Sequence, residues 1–568
     1  MTNTQVVEIL DEIALLLEMA GGDPLEISAY ANGARVLEGI AEPVGELVVT
    51  GRLCTLDGIG ATLGKEIGEF VATGRNEYHE NLRLRFPEEV LDLLQVPGLG
   101  AARVRLLHEQ HGISSLERLR SACETGELAV IEGFGVTMQQ GLLDAVGQAE
   151  EKRRLFRVND AVLAARQMHK WLLGAPEAER IEIAGSLRRR KEVVKNVNIV
   201  VSSTWAEAVI DRFASFPEVV TLTARGADSA SVLLRNGIPV DLRICSAVSF
   251  PFALAHFTGS RAHNTLLRRR AVERGHSLSE RGLFGNNGDC VDCADESALY
   301  AALGMAYVPP ELRENAGEFD TAIIPKLIEP ADIRGVVHCH STWSDGKSTL
   351  LELAEAAVGL GYDYLVITDH SSSSVLANGM PPGRILRQHA EIDALNRAFG
   401  GFSIVKGAEV DILPDGSLDY DDELLNCFDV VIASIHNAAE MNEEEATRRV
   451  VKALENRHTM ILGHPTGRML LSRTGYPLDM DKVVDAAVAN SVALEINVNP
   501  GRLDLDWRHM RQARDRGAKF VIGPDAHRIR GLNNIPYGVG VARKGWLRSE
   551  DVLNCQPLGA FLACLRKR

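Results

Sequence analysis

The sequence predicts a multidomain protein, with an all-α N-terminal part and a C-terminal α/β domain built from parallel βα units. The chain has 568 residues, which is too many for one hydrophobic core. Residues 1–150 follow helical patterns that are interrupted by recurring Gly-x-Gly elements. From Arg334 onward, short apolar runs alternate with helical stretches, as in a parallel sheet or barrel.

The composition is that of an ordinary globular protein, with 45% hydrophobic and 24% charged residues. The opening MTNTQVVEIL lacks the basic and apolar regions of a secretory signal, and no apolar run is long enough to span a bilayer. Nine cysteines, mostly isolated, suit a reducing compartment. We therefore expect a cytoplasmic protein without a membrane partner. Cys290 and Cys293 lack a second ligand pair, which favours a structural or incidental role over zinc.

The net charge of −16 opposes a broad electrostatic attraction to nucleic acid. Residues 334–568 carry 27 Lys and Arg against 30 Asp and Glu, and residues 1–333 carry 34 against 47. Most of the acidity therefore lies in the N-terminal part. Any contact with DNA must come from local patches or from backbone amides.

Three segments of the N-terminal part share a Gly-x-Gly turn that opens an amphipathic helix: LDGIGATLGKEI, VPGLGAARVRLL and IEGFGVTMQQGL. Glycine allows a tight hairpin, and the amides at a helix N-terminus can hold a phosphate. These segments resemble helix-hairpin-helix elements, which bind the DNA backbone without reading sequence. The positions expected to contact that backbone are Gly58, Gly60, Gly98, Gly100, Gly133 and Gly135.

Residues 183–198, IAGSLRRRKEVVKNVN, precede an apolar strand and resemble the nucleotide-binding motif of family X DNA polymerases. VDLRI, HFTGSRAHN, SERGLF and VPPELRENAGE, which follow between residues 240 and 318, extend the resemblance. It implies an α+β nucleotidyltransferase-like palm and thumb. The nucleotide-binding positions that it implies are Gly185, Ser186, Arg189 and Asp241.

Two carboxylates of the polymerase pattern are missing, because Asn196 and Asn198 stand where the family has aspartates. The family uses those aspartates, with Asp241, to bind two Mg²⁺ ions, and an amide carries no charge. We therefore expect little or no Mg²⁺ at the palm and a polymerase site that is inactive or very weak. The Schiff-base lysine of the family's lyase site is replaced by Glu66, and the neighbouring Lys65 points about 100° away on a helix. Loss of lyase activity is expected, with a displaced lysine as the alternative.

Six of the seven apolar runs of the C-terminal part end on side chains that can bind metal ions. The runs are RGVVHCH, YDYLVITDH, FSIVKGAEV, DVVIASIH, TMILGH, VALEINVN and KFVIGPDAH. Nine of the sixteen histidines lie beyond Arg334, and six of these nine lie at strand ends. A single histidine would be better explained as a core or surface residue. Strand alternation places His338 with His340, and Asp525 with His527, on one face, and a parallel barrel gathers its strand ends at one mouth. We therefore expect one shared pocket.

These runs resemble the signatures of the PHP (polymerase and histidinol phosphatase) family, a distorted seven-stranded βα barrel that holds up to three metal ions. The ligands and catalytic residues that the resemblance implies are His338, His340, Asp345, His370, Glu409, His436, His464, Asp525 and His527. A mixed nitrogen and oxygen set suits two or three divalent ions, with Mn²⁺ expected and Zn²⁺ or Fe as alternatives. Arg468, in HPTGR, is predicted to contact phosphate, unless it is a plain surface arginine.

The resemblance covers the whole chain, because bacterial and archaeal family X polymerases carry a C-terminal PHP domain. The predicted domains are helical regions 1–80 and 81–150, a palm 151–245, a thumb 246–318, a linker 319–333 and a PHP barrel 334–568. The resemblance implies a monomeric DNA-repair nuclease for gapped, nicked or 3′-ended DNA, a 3′→5′ exonuclease or 3′-end processor and in some settings an AP endonuclease. Three alternatives stay open: a small-molecule phosphatase, a residual gap-filling polymerase, and a non-catalytic DNA-end scaffold.

Overall fold

The structure, a computed structural model, describes residues 3–39, 42–56, 58–438 and 440–565. The chain divides into two compact units, Met1–Arg154 and Leu155–Arg568. Across the described stretches, none of the helices combines the length and the apolar character that crossing a bilayer requires.

The first unit is all-α. Its helices are α1 (Asn3–Ala20), α2 (Pro24–Gly39), α3 (Val44–Val49), α4 (Ala61–Thr73), α5 (Glu77–Arg85), α6 (Glu88–Leu91), α7 (Ala101–His111), α8 (Leu116–Glu124) and α9 (Val136–Arg153). Short 3-10 helices cover Leu53–Thr55, Asp92–Gln95 and Leu128–Val130. One hydrophobic cluster extends from Val6 to Val146. The predicted domains 1–80 and 81–150 therefore share a core, and a boundary between them stays a prediction.

The second unit begins with an α+β part. Its strands are β1 (Phe156–Arg157), β2 (Arg180–Ala184), β3 (Val193–Val194), β4 (Val197–Ser202), β5 (Val219–Arg225), β6 (Ser229–Leu234), β7 (Pro239–Cys245), β8 (His276–Ser279) and β9 (Gly282–Gly285). Its helices are α10 (Val158–Leu172), α11 (Gly185–Arg188), α12 (Ala206–Ala214), α13 (Phe250–Thr258), α14 (Arg261–Glu273) and α15 (Glu296–Ala302), with a 3-10 turn at Pro310–Leu312. The central sheet has the order β2-β4-β7-β6-β5, and only β4 and β7 are parallel.

The rest of the second unit is a barrel of parallel strands. They are β10 (Gly335–Cys339), β11 (Tyr364–Ile367), β12 (Ser403–Asp411), β13 (Val430–Ser434), β14 (Ile461–Leu462), β15 (Ala493–Asn497) and β16 (Phe520–Gly523). They pair in sequence order, and a parallel bridge from Cys339 to Ala526 brings the two edges together. The predicted fold class, with helix-hairpin-helix, palm-and-thumb and barrel parts, is confirmed.

Helices alternate with the barrel strands, as a βα repeat requires. They are α16 (Leu350–Gly359), α17 (Pro382–Ala398), α18 (Asp422–Leu425), α19 (Glu443–Glu455), α20 (Met480–Ala489), α21 (Trp507–Asp515), α22 (Ile535–Lys544) and α23 (Leu558–Leu565). Further 3-10 turns lie at Pro330–Asp332, Val375–Ala377, Ile529–Asn534, Ser549–Asp551 and Leu553–Cys555.

The stretch 319–333, which was predicted to be a linker, packs against the barrel. Leu327 and Ile328 are buried, with 4% and 0% of their surface exposed. Ile328 donates its amide to Leu547 at 3.0 Å and accepts from Arg543 at 3.0 Å. Apolar burial and these paired backbone groups hold Leu327 and Ile328 inside the second unit, and the bounds of the linker stay a prediction.

Candidate metal centre

The loops at the carboxyl ends of the barrel strands surround one cavity of about 460 Å³. Its polar and titratable lining includes Asp345, His370, Glu409, His436, His464, Asp525 and His527. His338 and His340 are fully buried beside it, each 3.3 Å from a lining carboxylate, Glu409 and Asp525 respectively. The structure therefore brings the nine sequence-predicted side chains together, although they come from a stretch of nearly two hundred residues.

The backbone that presents these side chains differs from the simple strand alternation expected from the sequence. A bulge separates Val336 from Cys339, and His338 takes a φ of 70°. His340, Asp525 and His527 lie beyond the ends of β10 and β16, and Asp525 has a φ of 49°. Positive φ is unfavourable for residues with a side chain and costs roughly 1–3 kcal/mol, so it marks a position that the surrounding structure enforces. Alternation does not explain why these residues meet.

Glu409 occupies the middle of the set. Its Oε1 lies 3.0 Å from His464 Nε2 and 3.3 Å from the Nε2 atoms of His338 and His436. Its Oε2 lies 3.0 Å from His370 Nδ1. A carboxylate with different imidazoles near its two oxygens would be available as a ligand to divalent cations held by those imidazoles.

The donor atoms form three groups of metal-binding size, in each of which all atoms lie within 4.8 Å of one another. The groups are His340 with Asp345, His370 and His527; His338 with His340 and Asp525; and His370 with Glu409 and His436. Five buried ring nitrogens, on His338, His340, His370 and His464, have no hydrogen-bond partner among the residues that the structure describes. Burying an unsatisfied nitrogen is costly, and a bound cation would satisfy it. The donor set therefore fits divalent metal ions.

The electrostatics differ from group to group in the cavity. At His338 and His436, burial lowers the pKa but neighbouring carboxylates outweigh it and raise the pKa above its usual value. Glu409 and His370 have the protonation states that bind a cation. Burial raises the pKa of Glu409, but His436, His338 and His370 outweigh it and hold that pKa well below its usual value. Burial, and then the neighbouring His340, lower the pKa of His370 to about 4, so this ring is neutral at pH 7. An ionised carboxylate and a neutral imidazole are the forms that bind a metal.

Two acidic residues that the sequence analysis did not single out support the histidines. Glu495 Oε1 lies 2.5 Å from His338 Nδ1, and its Oε2 accepts the amide of His464 at 2.6 Å. Asp411 hydrogen-bonds His436 Nδ1. Such contacts fix the ring orientation and leave the other nitrogen free for the metal. Asp411 could have been found, because it follows Glu409 by two residues and so shares its strand face.

Asp369, which directly precedes His370 in the second apolar run of the sequence, has a structural role. It is fully buried and accepts from the backbone and hydroxyl groups of Ser341 and Ser344, and from Gln388 at 2.5 Å. These donors use its oxygens to hold the loop after β10. The structure thus keeps Asp369 apart from the cavity lining.

Arg468, predicted to contact phosphate, is engaged in bonds inside the protein. Its guanidinium donates to Asp506 at 2.5 Å, to the carbonyl of Arg502 at 3.1 Å and to the carbonyl of Leu503. A fork filled in this way has no edge left for a bidentate phosphate. Arg502, which the sequence analysis did not consider, lines the cavity instead.

The degenerate polymerase positions form their own network on neighbouring strands. Asn198 and Asp241 are register partners on β4 and β7. Asn196 donates its amide to Asp241, which also accepts from Ser231 at 2.5 Å, and Asn198 donates to Asn196 at 3.3 Å. One amide and one hydroxyl group therefore donate to the aspartate that a polymerase would offer to Mg²⁺.

The remaining nucleotide-binding positions lie beside this network. Gly185 has a φ of 69°, and a Cβ added there would lie 2.6 Å from Asn198. Ser186 follows it in the short helix α11. Arg189 donates to Glu314 at 2.9 Å and to the carbonyl of Thr258 at 2.7 Å. Its guanidinium is thus held inside the palm and thumb.

The three Gly-x-Gly segments of the first unit share one geometry. In each, a 3-10 turn precedes a glycine with positive φ, namely Gly58 at 95°, Gly98 at 91° and Gly133 at 87°. The second glycines, Gly60, Gly100 and Gly135, directly precede α4, α7 and α9, and a Cβ at any of them would meet nothing within 4 Å. The helix N-termini are therefore open to a close approach by another backbone.

The lyase-site positions also differ from the family pattern in the structure. Glu66 accepts a hydrogen bond from the Tyr30 hydroxyl at 2.6 Å. Lys65 beside it is exposed on α4. Where the family has its Schiff-base lysine, this chain therefore has a carboxylate that accepts a hydrogen bond from a tyrosine.

Four family models match the chain. A helix-hairpin-helix domain matches residues 1–76, and a SAM-like helix-hairpin-helix tandem matches 90–145. The DNA polymerase beta thumb matches 253–314, and the PHP domain matches 337–497.

One curated relative matches from end to end: the DNA polymerase/3′-5′ exonuclease PolX of Bacillus subtilis is 37% identical over 571 residues, covering 100% of both chains. The chain belongs to the PolX family. This membership confirms the resemblance to family X polymerases with a PHP domain, and PolX proteins are enzymes with a metal-dependent hydrolase domain.

Other relatives match a smaller share of this PolX chain. A probable phosphatase of Thermoanaerobacter sp. is 29% identical over 229 residues, covering 38% of this chain and 88% of the relative. A crystal structure of Leishmania infantum polymerase beta covers 40% of this chain at 22% identity with a TM-score of 0.28, too low to support an argument.

Proposed function

We propose that this PolX chain is a DNA-repair nuclease that removes nucleotides from DNA 3′ ends with its PHP barrel, while its polymerase site is silent. One observation carries the proposal: the nine predicted ligands lie at or beside one cavity, and five of their buried ring nitrogens make no hydrogen bond to the described residues. We further propose that it acts as a cytoplasmic monomer on gapped, nicked or 3′-ended DNA.

The side chains of the barrel would hold two or three divalent ions, with Mn²⁺ favoured and Zn²⁺ or Fe as alternatives. When bound, such ions supply a water-derived nucleophile and offset negative charge on the reacting phosphate. Glu409, which has histidine nitrogens near both of its oxygens, would be one of the residues that hold these ions. Glu495 holds the Nδ1 side of His338, so Nε2 faces Glu409 and the cavity. The chain positions ligands, and no side chain is needed as general base.

The helix-hairpin-helix repeats would bring DNA to this active site. Their open N-terminal amides suit phosphate oxygens and carry no net charge. This mode of contact is compatible with a chain whose net charge is −16. It also implies binding to DNA backbones without sequence preference.

The palm would act as a scaffold, because the side chains at its metal site already form hydrogen bonds with one another. Asn196 and Ser231 already donate to both oxygens of Asp241. Binding Mg²⁺ would require breaking these bonds, and the two asparagines offer no compensating charge. Each 1.36 kcal/mol lost at the transition state lowers the rate about tenfold.

The test uses a 5′-labelled gapped duplex, a matched duplex with an abasic site, and nucleoside monophosphates, each incubated with full-length protein and Mn²⁺. We expect stepwise shortening from the 3′ end that His340→Ala abolishes and that Asp241→Ala leaves unchanged. Intact DNA with wild-type protein, or shortening that survives His340→Ala, contradicts the proposal. Faster turnover of the monophosphates would favour the phosphatase alternative, and incision at the abasic site would add AP endonuclease activity.

A further inference from the structure

Arg502 brings a positively charged side chain to the cavity at the carboxyl ends of the barrel strands. Among the described residues that line the cavity, it is the one lysine or arginine, and the lining carboxylates are Asp345, Glu409 and Asp525. Its side chain is 19% exposed, so it is neither buried away from the cavity nor free in solvent.

The guanidinium of Arg502 has unused hydrogen-bonding capacity. Its Nε lies 3.7 Å from Asp525 Oδ2, which is beyond hydrogen-bond distance, and the described residues give the group no closer polar partner. Arginine has five N–H donors in a planar fork. Asp525 also accepts from Asn497 at 3.1 Å, so Arg502 is not needed to satisfy that carboxylate.

The backbone that carries Arg502 is held in place on both sides. The Arg502 amide donates to the Asn499 carbonyl at 2.7 Å, and the Gly501 carbonyl accepts from Leu470 at 2.7 Å. Arg468 donates to the Arg502 carbonyl at 3.1 Å. The loop is therefore rigid, and a preorganised donor loses less entropy when it binds a ligand.

Arg468 is itself tied to the palm. Its guanidinium lies 3.9 Å from Glu192, which Arg508 contacts at 3.2 Å. Glu192 is 5% exposed and lies within the degenerate nucleotide-binding motif. A palm residue thus helps to fix the loop that presents Arg502 to the barrel cavity.

We propose that Arg502 binds the phosphate group of the substrate through its guanidinium fork, and that Arg468 is the positioning residue that aims it. This inference rests on the proposed phosphoesterase function, and it names the residue that recognises the anion. Planar, bidentate recognition of phosphate oxygens is a property that arginine has and lysine lacks.

Inorganic phosphate is the probe, added to full-length Mn²⁺-loaded protein in a calorimetric titration with metal content measured in parallel. We expect Arg502→Gln to weaken phosphate binding roughly 10- to 100-fold, the effect of a lost charge-assisted hydrogen bond, while metal content stays constant. Arg502→Lys should recover part of the affinity. Arg448→Ala, which removes an exposed arginine on α19, is the matched control and should behave as wild type.

Arg468→Lys tests the positioning role. It keeps the charge near Asp506 but cannot donate to both loop carbonyls, so phosphate affinity should fall. Combined with Arg502→Gln it should add little further loss, because both act on one contact.

Three results would overturn the inference: no phosphate binding by wild type, affinity of Arg502→Gln within about twofold of wild type, or loss of metal in that variant in step with phosphate. The last result would mean that Arg502 supports Asp525 and not the substrate. Because the titration requires no DNA cleavage, loss of phosphate binding in Arg502→Gln would stand even if wild-type protein left DNA intact.

Discussion

Nitrogens of four histidines lie within 3.3 Å of the carboxylate of Glu409, on both of its oxygens. Glu409→Gln preserves the shape of the side chain and removes the charge that bound cations would need. We expect its metal content to fall and nuclease activity to drop by roughly 100-fold or more, equivalent to at least two steps of 1.36 kcal/mol. Elemental analysis and the 3′-end assay measure the two effects.

The control for this substitution is Glu355→Gln, which neutralises an exposed carboxylate on α16. It should keep metal and activity. Full metal content in Glu409→Gln would show that the carboxylate is not a required ligand.

Asn196 and Asn198 permit a second prediction at this scale. Restoring the aspartates, as Asn196→Asp with Asn198→Asp, replaces two amide donors by charges next to Asp241. Without cations, three carboxylates repel one another, so the melting temperature in EDTA should fall below that of wild type. Mg²⁺ should restore it, because divalent ions neutralise such a cluster. Calorimetry with and without Mg²⁺ measures the shift, and primer extension on gapped DNA measures any recovered polymerase activity.

The wild-type response to Mg²⁺ is the reference, because the barrel site could also bind the ion. If the doubly substituted protein is as stable as wild type in EDTA, the amide network does not hold the palm site together.

At the scale of elements, substitutions in the hairpins can test DNA binding separately from folding. Gly60, Gly100 and Gly135 have open space where a Cβ would lie. Changing all three to alanine should leave the melting temperature near that of wild type and weaken binding to a gapped duplex several-fold. The added methyl groups would lie where phosphates approach the helix N-termini. Fluorescence anisotropy measures the affinity.

Two further glycines serve as controls for the hairpins. Gly98 has a φ of 91°, so Gly98→Ala should cost about 1 kcal/mol or more of folding free energy. Gly141 is exposed within α9 with nothing near its Cβ position, so Gly141→Ala should change neither property. Unchanged DNA affinity in the triple variant would argue against hairpin binding.

At the scale of the second unit, the barrel and the palm-and-thumb part share a buried seam around Lys544. Its ammonium donates to Glu314 at 2.6 Å and to the carbonyls of Arg189 and Glu311 at 3.2 and 3.3 Å, above the Trp507 ring. The side chain is 1% exposed. These bonds join a barrel helix to the nucleotide-binding loop of the palm.

Lys544 predicts a pH dependence of stability. Burial, opposed by Glu314, lowers its pKa from 10.5 to about 8. Between these values the unfolded chain binds more protons than the folded chain, so this residue's contribution to stability rises with pH. Relative to Lys544→Met, wild type should gain on the order of 2 kcal/mol between about pH 7.5 and about pH 9.5. Denaturant unfolding of both proteins measures it, and a constant or shrinking difference would refute it.

Much of the fold was predictable because its signals are local. The seven apolar runs of the barrel and the three glycine hairpins each formed the expected element. The ends of the barrel strands were less predictable. His338 and Asp525 adopt positive φ, which depends on bonds to residues far away in the chain.

By itself, the sequence determined the family, the barrel, and the identity of the nine side chains at or beside the cavity. Ligand residues and strand patterns can be recognised in short stretches of sequence. Only the tertiary structure decided that Arg468 supports a loop while Arg502 faces the cavity, that Glu495 orients His338, and that Asn196 pairs with Asp241. Hydrogen-bond partners separated by tens to hundreds of residues leave no periodic trace, and arginines in neighbouring loops look alike until packing fixes where each guanidinium points.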